Sequence, residues 1–361
     1  MKTTLTNETI PETMRAVQLI GHGGPEMLQY SETLAVPTPS ANDVLIRVAA
    51  AGVNNTDINT RIGWYSKQSS AEDDDKSADA SWTGNALRLP LIQGADVCGY
   101  IVAVGENVSS ARLGERVLIE PCLREIDGQL LSTPGYYGSE CDGGFADYTV
   151  VAARHAHAVN SPLTDIELAS FPCSYSTAEN MLSRTHVGPQ DRVLISGASG
   201  GVGSAAVQLA KARGAYVIAI TSPSKYQSLL ALGADQVIPR DADLLEVLSD
   251  NSVDVVIDLV AGPQWSQFLQ VLKPGSRYAV SGAIGGPIVE LDIRTLYLKD
   301  LSFFGCTVLG TEVFQNLIRC IEQEKVQPMV AQTFPLADIA AAQAQFLAKE
   351  HVGKIVLTLA A

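Results

Sequence analysis

Short apolar runs separated by helical patterns dominate the second half of the chain. The runs at 193–195 and 216–221 are rich in β-branched residues, as strands buried on both faces are. Between them, small apolar residues recur at helical spacing over 205–210, and Gly214 stands where a helix C-terminus needs positive φ. Further strands are predicted at 236–238, 253–259, 277–281 and 301–308, with a helical segment at 224–232. This alternation predicts an α/β fold with a parallel, doubly wound sheet and right-handed crossovers.

The first half of the chain has a different pattern, in which strands follow one another with turns between them. Apolar clusters at 14–19, 44–48 and 145–152, and a pair of strands over 90–105, are bounded by Gly, Pro and Asn. Residues 132–144, rich in Gly, Pro, Ser and Tyr, are predicted to form a long loop. The last strand, at 353–357, is expected to return to this first part. A chain of 361 residues is too long for one ordinary core, so we expect two domains.

A glycine-rich turn joins the first strand of the parallel sheet to its helix. It reads Ala198-Ser199-Gly200-Gly201-Val202-Gly203. Such a turn directs backbone N–H groups and the positive end of a helix dipole toward one place, which suits a pyrophosphate. The motif departs from G-x-G-x-x-G because Ala198 takes the first glycine position, and a tight turn without a ligand is the alternative. The alternating strands and helices around it favour a dinucleotide site.

Composition narrows the classes of partner. A net charge of −14 and a pI near 4.8 argue against nucleic acid or an anionic membrane, because both would repel this surface. No apolar run is long enough for a membrane span, and the polar residues 1–13 lack an apolar signal region, so a cytoplasmic protein is expected. Residues 66–85 are polar and acidic and are predicted to form an exposed insertion or mobile lid. Trp64, Tyr65 and Trp82 flank it, either as pocket or as core side chains.

The cysteine and histidine pattern does not predict a metal. The six cysteines are scattered without a C-x-x-C pair, which indicates reduced thiols. His155 and His157 are two apart, so on a strand they would share a face and could touch one metal ion. Because no third ligand is near in sequence, ordinary strand residues are the favoured interpretation.

Several separate motifs together resemble the medium-chain dehydrogenase/reductase superfamily, over nearly the whole chain from Met14 to Leu359. They are 50–57 (AAGVNNTD), 94–99 (GADVCG), 114–117 (GERV), 198–203, 232–234 (LGA), 272–275 (LKPG) and 353–356 (GKIV). The resemblance implies a GroES-like β-rich catalytic domain made from both chain ends, 14–160 and 310–361. A Rossmann dinucleotide-binding domain, 161–309, would be inserted between them, and residues 1–13 would be a polar extension.

The resemblance also bears on zinc. Zinc alcohol dehydrogenases of this superfamily place a Cys-His pair where this chain has Asn54 and Asn55, and a His-Glu pair where it has Ala95 and Asp96. Cys173 matches a zinc-ligand position, but catalytic zinc needs about three protein ligands. The resemblance therefore points to the zinc-independent, quinone oxidoreductase-like branch. Members of that branch reduce quinones or the C=C bond of α,β-unsaturated carbonyl compounds.

The cofactor is predicted from the end of the second parallel strand. An NAD-selective site usually carries Asp or Glu there, whereas this chain has Ser222, Ser224 and Lys225. These hydroxyls and this cation would bind a 2′-phosphate, and Arg240, after the third strand, would add a second cation. We therefore expect NADPH rather than NADH. Two solvated surface cations are the alternative for Lys225 and Arg240.

The remaining cofactor-binding candidates lie around the turn and at strand ends. The resemblance places Thr177 beside the nicotinamide ribose. Together with Ser222, Ser224, Lys225 and Arg240, the candidate cofactor-binding residues are Thr177, Ser199, Gly200, Gly201, Val202, Gly203, Leu259 and Ser281.

Without zinc, the developing charge on the substrate carbonyl oxygen needs a hydrogen-bond donor, followed by a proton. Asn54 is a candidate for orienting substrate or nicotinamide, and the phenol of Tyr65 could donate. Asp57 is expected to hold its loop, by bonding backbone N–H groups or Arg61, more than to transfer a proton.

Three functions stay open at this point. The first is an NADPH-dependent reductase of quinones or enones acting on a small-molecule substrate. The others are a carbonyl or alcohol oxidoreductase with a bound proton donor, and a non-catalytic nicotinamide-binding protein. The apolar strand at 301–308 would lie at a sheet edge, so a homodimer is expected.

Overall fold

The computed structural model describes residues 9–65, 81, 83 and 86–359. It divides into two compact units. Unit 1 contains the chain up to Cys173, Val330–Glu350 and the chain from Lys354 onward. Unit 2 contains Ser174–Met329 and His351–Gly353.

Strands and helices are named in chain order. The strands are β1 (Thr13–Leu19), β2 (Leu28–Ala35), β3 (Asp43–Val53), β4 (Leu91–Ile92), β5 (Asp96–Val104), β6 (Arg116–Ile119), β7 (Cys122–Ile126), β8 (Gln129–Tyr136), β9 (Tyr148–Ala152), β10 (Ala156–Ala158), β11 (Arg192–Ile195), β12 (Tyr216–Thr221), β13 (Gln236–Pro239), β14 (Val253–Asp258), β15 (Leu272–Val280), β16 (Ser302–Gly305), β17 (Val330–Pro335) and β18 (Lys354–Thr358). The α-helices are α1 (Asn55–Arg61), α2 (Asp165–Leu168), α3 (Pro172–Arg184), α4 (Gly201–Ala212), α5 (Tyr226–Ala231), α6 (Leu244–Leu248), α7 (Trp265–Val271), α8 (Ile293–Leu298), α9 (Val313–Glu322) and α10 (Ile339–Ala348).

Unit 1 is built on a sheet of order β10-β6-β5-β3-β18-β17, with β9 also paired to β3. The C-terminal strand β18 pairs antiparallel with β3, so that Ile355 lies opposite Val53. Ile46, Val97 and Ile355 are fully buried in one apolar core. The expectation that the last strand returns to the first part of the chain is therefore confirmed.

One prediction for unit 1 is wrong. Residues 132–144 were expected to form a long loop, but their first five residues belong to β8, which pairs with β7 and places Tyr136 opposite Cys122. Four of the eight residues of β8 are exposed, including Leu130 at 73% of its surface, and they do not alternate with buried ones, so the strand lacks the pattern that signals a buried face. Pro134 reads as a turn residue but fits a small exposed hairpin, where a missing N–H is tolerated.

Unit 2 contains the predicted parallel sheet, in the order β13-β12-β11-β14-β15-β16. Every neighbouring pair in it is parallel. Leu194, Ile218 and Val256 are buried in its core. The chain runs outward in one direction from β11 to β13 and then in the other from β14 to β16, so the strand order reverses between β11 and β14. Dinucleotides bind at the carboxyl ends of the strands where such a reversal occurs.

Both boundaries of the inserted domain lie later in the chain than the predicted 161 and 309. Helix α2 packs against β3, β5 and β18, which keeps residues 161–173 in unit 1. In unit 2, the side chain of Asn180 bonds to the carbonyl of Val308 and the N–H of Gly310, and Gln208 accepts from the N–H of Gln327. Residues 310–329 therefore belong to unit 2. Within the described residues, no helix has the length and apolar character that a membrane span requires.

Candidate active site

The glycine turn in unit 2 has the geometry of a phosphate-binding turn. Helix α4 begins at Gly201, and Gly200 is its N-cap in an extended conformation. Gly203 is required by close approach, because a Cβ there would lie 2.3 Å from the carbonyl oxygen of Gly197. The first N–H groups of a 12-residue helix therefore stand at the carboxyl end of β11 with no helical partner. They are suitable donors to a pyrophosphate.

Leu259 and Ser281 lie at the same edge of the sheet as the turn. Leu259 follows β14, and its N–H donates to Ser196 Oγ at 2.8 Å. Ser281 follows β15, and its N–H donates to the carbonyl of Asp258 at 3.1 Å. Asp258 is fully buried and also accepts from the N–H groups of Val260 and Ala261, so this edge is held by short bonds.

The candidate 2′-phosphate residues cluster at the end of β12. Ser222 Oγ and Ser224 Oγ are 3.4 Å apart, and both side chains are at least partly exposed. Lys225 Nζ donates to the carbonyl of His351 at 2.9 Å. Arg240 is exposed, and its N–H donates to the carbonyl of Thr221 at 3.1 Å, which places it beside the strand end. Two cations and two hydroxyls therefore share this corner of unit 2, and residues 221–226 contain no carboxylate.

Thr177 and Ser199 are partly exposed positions of unit 2. Thr177 lies on α3 between the buried residues Ser176 and Ala178. The carbonyl of Ser199 accepts from the N–H of Gly353 at 3.2 Å, so the segment His351–Gly353 contacts the glycine turn through its backbone.

In unit 1, Asn54 and Asp57 begin helix α1 together. Asp57 Oδ2 accepts from the N–H of Asn54 at 2.7 Å, which forms a capping box. This is the loop-holding role expected for Asp57. Its partner is not Arg61, which bonds instead to Gln343 and to the carbonyl of Gly23. Burial raises the pKa of Asp57 to about 7, although the bond from Asn54 opposes the rise.

A buried polar cluster, defined here as Asn54, Asp96 and Lys354, joins three strand ends of unit 1. Lys354 Nζ lies 2.6 Å from Asp96 Oδ2 and donates to Asn54 Oδ1 at 2.6 Å. Asn54 Nδ2 donates to Asp96 Oδ2 at 2.9 Å, which closes the triangle. Lys354 is 2% exposed and Asp96 is fully buried. Both ends of the Asn54 amide are thus bonded within the protein.

Gly52 makes room for the polar cluster. A Cβ at this position would lie 2.7 Å from Asp96 Oδ2 and 2.8 Å from the carbonyl oxygen of Ala169. The second carboxylate oxygen, Asp96 Oδ1, accepts from the N–H of Cys173 at 2.5 Å. Asp96 therefore fixes the position of Cys173 as well as that of Lys354.

A group of phenols and a thiol lies next to the polar cluster. Tyr136 Oη is 2.8 Å from Cys173 Sγ, and these two side chains pack with Ala95. Burial raises the pKa of Cys173 to about 12 and that of Tyr136 well above its usual range. Tyr65 is half-buried, and its pKa rises to about 12, chiefly through burial. All three groups therefore carry their protons at neutral pH.

Comparison with known proteins agrees with this architecture. Residues 40–161 match the family model described as an alcohol dehydrogenase GroES-like domain, and residues 201–323 match that of a zinc-binding dehydrogenase. Together these matches span more than half of the chain. The chain belongs to the medium-chain dehydrogenase/reductase superfamily and is quinone oxidoreductase-like.

Individual relatives of this medium-chain dehydrogenase/reductase have several activities in their names. The quinone oxidoreductase of Rattus norvegicus is 30% identical over 96% of this chain and 98% of its own. The acryloyl-coenzyme A reductase of Metallosphaera sedula is 28% identical over 96% of this chain and 100% of its own. The crystal structure of a putative alcohol dehydrogenase from Sinorhizobium meliloti 1021 is 45% identical with a TM-score of 0.89, and covers 97% of this chain and 98% of that one.

The residues at the zinc-ligand positions of this medium-chain dehydrogenase/reductase do not fit a zinc ion. Ala95 has no donor atom, Asn54 is bonded at both ends of its amide, and Asp96 is paired with an ammonium group. Cys173 is then the one thiol of the set, and one thiol is fewer than the three protein ligands that catalytic zinc needs. Across the described residues, no group of three His, Cys, Asp or Glu side chains is placed to hold a metal ion.

His155 and His157 both lie within hydrogen-bond distance of the Glu120 carboxylate. His155 lies in a 3₁₀ turn rather than on a strand, and its Nε2 accepts from the N–H of Arg124, so its Nδ1 carries the proton. That Nδ1 and the Nε2 of His157 lie 3.1 and 3.3 Å from Glu120 Oε2. Burial alone would raise the pKa of Glu120, but the bonds to both histidines lower it to about 2.

The acidic insertion predicted over residues 66–85, with Trp82, lies outside the described residues except for Ser81 and Thr83. Thr83 Oγ1 donates to Glu140 Oε1 at 2.9 Å. On the near side of the insertion, Trp64 and Tyr65 pack edge to face with ring centroids 5.4 Å apart.

Three residues of the site were given no role by the sequence: Asp96, Lys354 and Tyr136. A signal existed for the first two, because each is a lone charge beside an apolar run that reads as a buried strand. Two such opposite charges are expected to pair. No comparable signal marked Tyr136, which was taken as part of a loop.

Proposed function

We propose that this protein is an NADPH-dependent reductase that transfers a hydride, without zinc, to a quinone or to the C=C bond of an α,β-unsaturated carbonyl compound. The observation that carries the proposal is the polar cluster. Asn54 and Asp96, at positions that match zinc-site residues of related enzymes, are hydrogen-bonded to each other and to the ammonium group of Lys354. Polarisation of the substrate must then come from hydrogen-bond donors. The names of the rat and Metallosphaera relatives support the same substrate classes.

NADPH, when bound, supplies the hydride. In this proposal the N–H groups of residues 201–203 bind its pyrophosphate, and Ser222, Ser224, Lys225 and Arg240 bind its 2′-phosphate. The assignment is supported by the partial exposure of these four residues near the end of β12 and by the 3.4 Å separation of the two serine hydroxyls. Leu259, Ser281 and Thr177 would contact the parts of the cofactor other than its pyrophosphate and 2′-phosphate.

The catalytic roles are proposed from the geometry of unit 1. Hydride addition at the β-carbon sends an electron pair to the carbonyl oxygen, where a donor is needed. Tyr65 is half-buried and protonated, and it is proposed as that donor. Asn54 and Asp57 are proposed to position the loop that carries Tyr65, since both are fixed in the capping box of α1. The proton that completes the reaction at the α-carbon comes from solvent.

The test is oxidation of NADPH by the purified protein with a panel of quinones, enones and aldehydes. Turnover with quinones or enones, and none or little with aldehydes, is expected. Metal analysis of the same sample is expected to find much less than one zinc per chain. One equivalent of tightly bound zinc contradicts the metal-free proposal, whatever the substrate.

A carbonyl or alcohol oxidoreductase is the second candidate, and one observation favours it. The Sinorhizobium structure, at 45% identity, is described as a putative alcohol dehydrogenase. Turnover with aldehydes alone selects this candidate. Failure to oxidise NADPH with any class, combined with tight binding of NADPH, selects a nicotinamide-binding protein without catalysis.

We also propose that two copies associate through strand β16. It is the last strand of its sheet, and exposed apolar side chains lie near it in sequence: Ile288, Leu298 and Phe303 are 89%, 70% and 38% exposed. Light scattering is expected to give the mass of a dimer, and Leu298→Asp with Ile288→Asp to give a monomer. A monomeric wild-type protein contradicts the proposal.

A cytoplasmic location is the corresponding proposal for the compartment. All six cysteines lie in described parts of the chain and form no disulfide. Fractionation of cells that express the protein tests it, and recovery in an oxidising compartment contradicts it.

A further inference from the structure

The phenol of Tyr136 is a buried polar group that the proposed reaction has not used. Its side chain is 8% exposed, its hydroxyl is 2.8 Å from Cys173 Sγ, and it packs with Ala95. Two of its neighbours, Ala95 and Cys173, stand at zinc-ligand positions of the related metal enzymes. The hydroxyl therefore lies at the centre where a metal-free reductase needs an electrophile.

We propose that Tyr136 is a further catalytic residue, which donates a hydrogen bond to the substrate carbonyl oxygen alongside Tyr65. The proposal rests on the proposed function and names the part of the site that would replace a metal ion. Two phenols would then share the negative charge that develops on one oxygen.

The backbone holds Tyr136 rigidly enough for this role. Its N–H donates to Glu140 Oε2 at 2.7 Å, and its carbonyl accepts from the N–H groups of Ser139 and Glu140 at 3.1 and 3.0 Å. The following residue, Tyr137, donates its N–H to the carbonyl of Pro121 at 2.9 Å. A donor fixed before the reaction stabilises developing charge without the cost of reorganisation.

The contact with Cys173 allows the hydroxyl to turn toward a substrate. Either atom of the pair can be the donor. When Tyr136 donates to the sulfur, its proton is held within the protein. When the thiol donates to the phenol oxygen instead, the Tyr136 proton is available to the substrate, and the relay strengthens the bond it gives. The thiol is fixed for this by its own N–H bond to Asp96.

The step balances without a further reactant. Hydride forms a C–H bond at the β-carbon, the C=C π bond breaks, and the electron pair moves to the carbonyl oxygen as an enolate. Tyr136 and Tyr65 keep their protons and hydrogen-bond to that oxygen. The enolate collapses to the carbonyl as solvent protonates the α-carbon.

The test compares Tyr136→Phe with Tyr137→Phe. The second variant is a matched control, because Tyr137 is the adjacent buried tyrosine and its hydroxyl bonds to Thr149 Oγ1. With para-substituted benzylideneacetones and saturating NADPH, Y136F is expected to lose about 100-fold in kcat, as oxyanion-site donors do. The loss of kcat should be greatest for the benzylideneacetone whose para substituent activates the enone least. A purely structural change would not produce this dependence on the substituent. Y137F should stay within about threefold of wild type, and the Kd for NADPH should be unchanged in both.

Two variants of Cys173 keep the test decisive if Y136F does not fold. Cys173→Ser keeps a donor to the phenol and should retain most of the kcat, whereas Cys173→Ala should lose more. An equal kcat for C173S and C173A, or a Y136F enzyme within threefold of wild type, overturns the role of Tyr136 and leaves the proposed function in place. A wild-type protein that reduces none of the quinones and enones overturns both.

Discussion

The two units use polar residues in opposite ways. In unit 1, Asn54, Asp96 and Lys354 are 5%, 0% and 2% exposed and bond to one another at 2.6–2.9 Å. In unit 2, the candidate phosphate residues are exposed or half-buried, and Ser222 and Ser224 are 3.4 Å apart. The first set is bonded within the protein, whereas every side chain of the second is at least partly exposed to solvent.

The difference predicts how substitutions in the two units will act. A buried charge is tolerated because a partner offsets its lost hydration. Removing one member of the polar cluster therefore leaves the desolvation penalty of the other member uncompensated. An exposed cation already has water, so its removal matters mainly when a ligand is present. We therefore expect unit 1 variants to change stability and unit 2 variants to change binding.

The largest effect is expected from Lys354→Met. The carboxyl group of Asp96 would remain buried without its ammonium partner, which should lower the free energy of unfolding by about 3–5 kcal/mol in urea denaturation at pH 7. The double variant Asp96→Asn, Lys354→Met removes both charges and should recover much of the loss. A loss below about 1 kcal/mol for K354M would mean that the pair is not desolvated in solution.

Asp57→Asn tests the buried carboxyl of the capping box. Its pKa is raised to about 7 from 3.8, so the folded state holds its proton more tightly than the unfolded state does. Its stabilising contribution is complete below about pH 4 and is lost as the pH rises to about 7, by at most about 1.4 kcal/mol per pH unit. Asparagine does not titrate but can still accept from the Asn54 N–H.

The wild type and D57N are compared by urea denaturation at pH 5, 6, 7 and 8. The stability of the wild type relative to D57N should fall between pH 5 and 7 and level off above about 7. A difference that is constant across this range would show that Asp57 has an ordinary pKa.

Lys225→Ala tests the candidate 2′-phosphate site of unit 2. Loss of this cation should weaken NADPH binding about tenfold, equivalent to about 1.4 kcal/mol, and leave NADH binding unchanged. Fluorescence titration with both cofactors measures the ratio. A parallel loss for the two cofactors would assign Lys225 to the backbone of the His351 segment, to which it donates, rather than to a phosphate.

The smallest effect is expected from Lys211→Met. Lys211 forms an ion pair with Asp235 at 2.7 Å, but its side chain is 41% exposed. Its removal should cost less than about 1 kcal/mol of unfolding free energy and leave both cofactor affinities unchanged. K211M is thus the matched surface control for both K354M and K225A, and a loss as large as that of K354M would break the contrast between the units.

Features with a local pattern could be predicted from the sequence. The glycine turn and the strands of the parallel sheet follow from periodicity and turn residues within short stretches, and Gly214 has the expected positive φ of 81°. The return of β18 to unit 1 was also expected, and its pairing with β3 agrees. Each of these depends on neighbours in the chain.

Lone charges beside buried strands indicated that Asp96 and Lys354 need partners, but the arrangement at the centre of unit 1 could not be predicted because those partners are distant in sequence. Asn54 and Lys354 bond to each other across 300 residues, and no motif specifies that Lys354 faces Asp96. Tyr136 was missed for another reason: β8 is too exposed to show a strand pattern, so its last residue had no predicted position. The domain boundaries differ from the predicted ones because contacts between distant residues decide them: α2 packs on strands of unit 1, and Asn180 and Gln208 bond to residues 308–327 in unit 2.

The position of β18 between β3 and β17 has a consequence for synthesis of the protein. Residues 43–104, which contain β3 and β5, are translated early. The strand that lies beside β3 and the ammonium group that pairs with Asp96 follow some 250 residues later, because synthesis runs from the N- to the C-terminus. Until residue 358 has left the ribosome, unit 1 lacks an inner strand and carries an unpaired carboxylate. A chain truncated before residue 354 would therefore contain every residue of unit 2 but would lack β18 and the ammonium partner of Asp96.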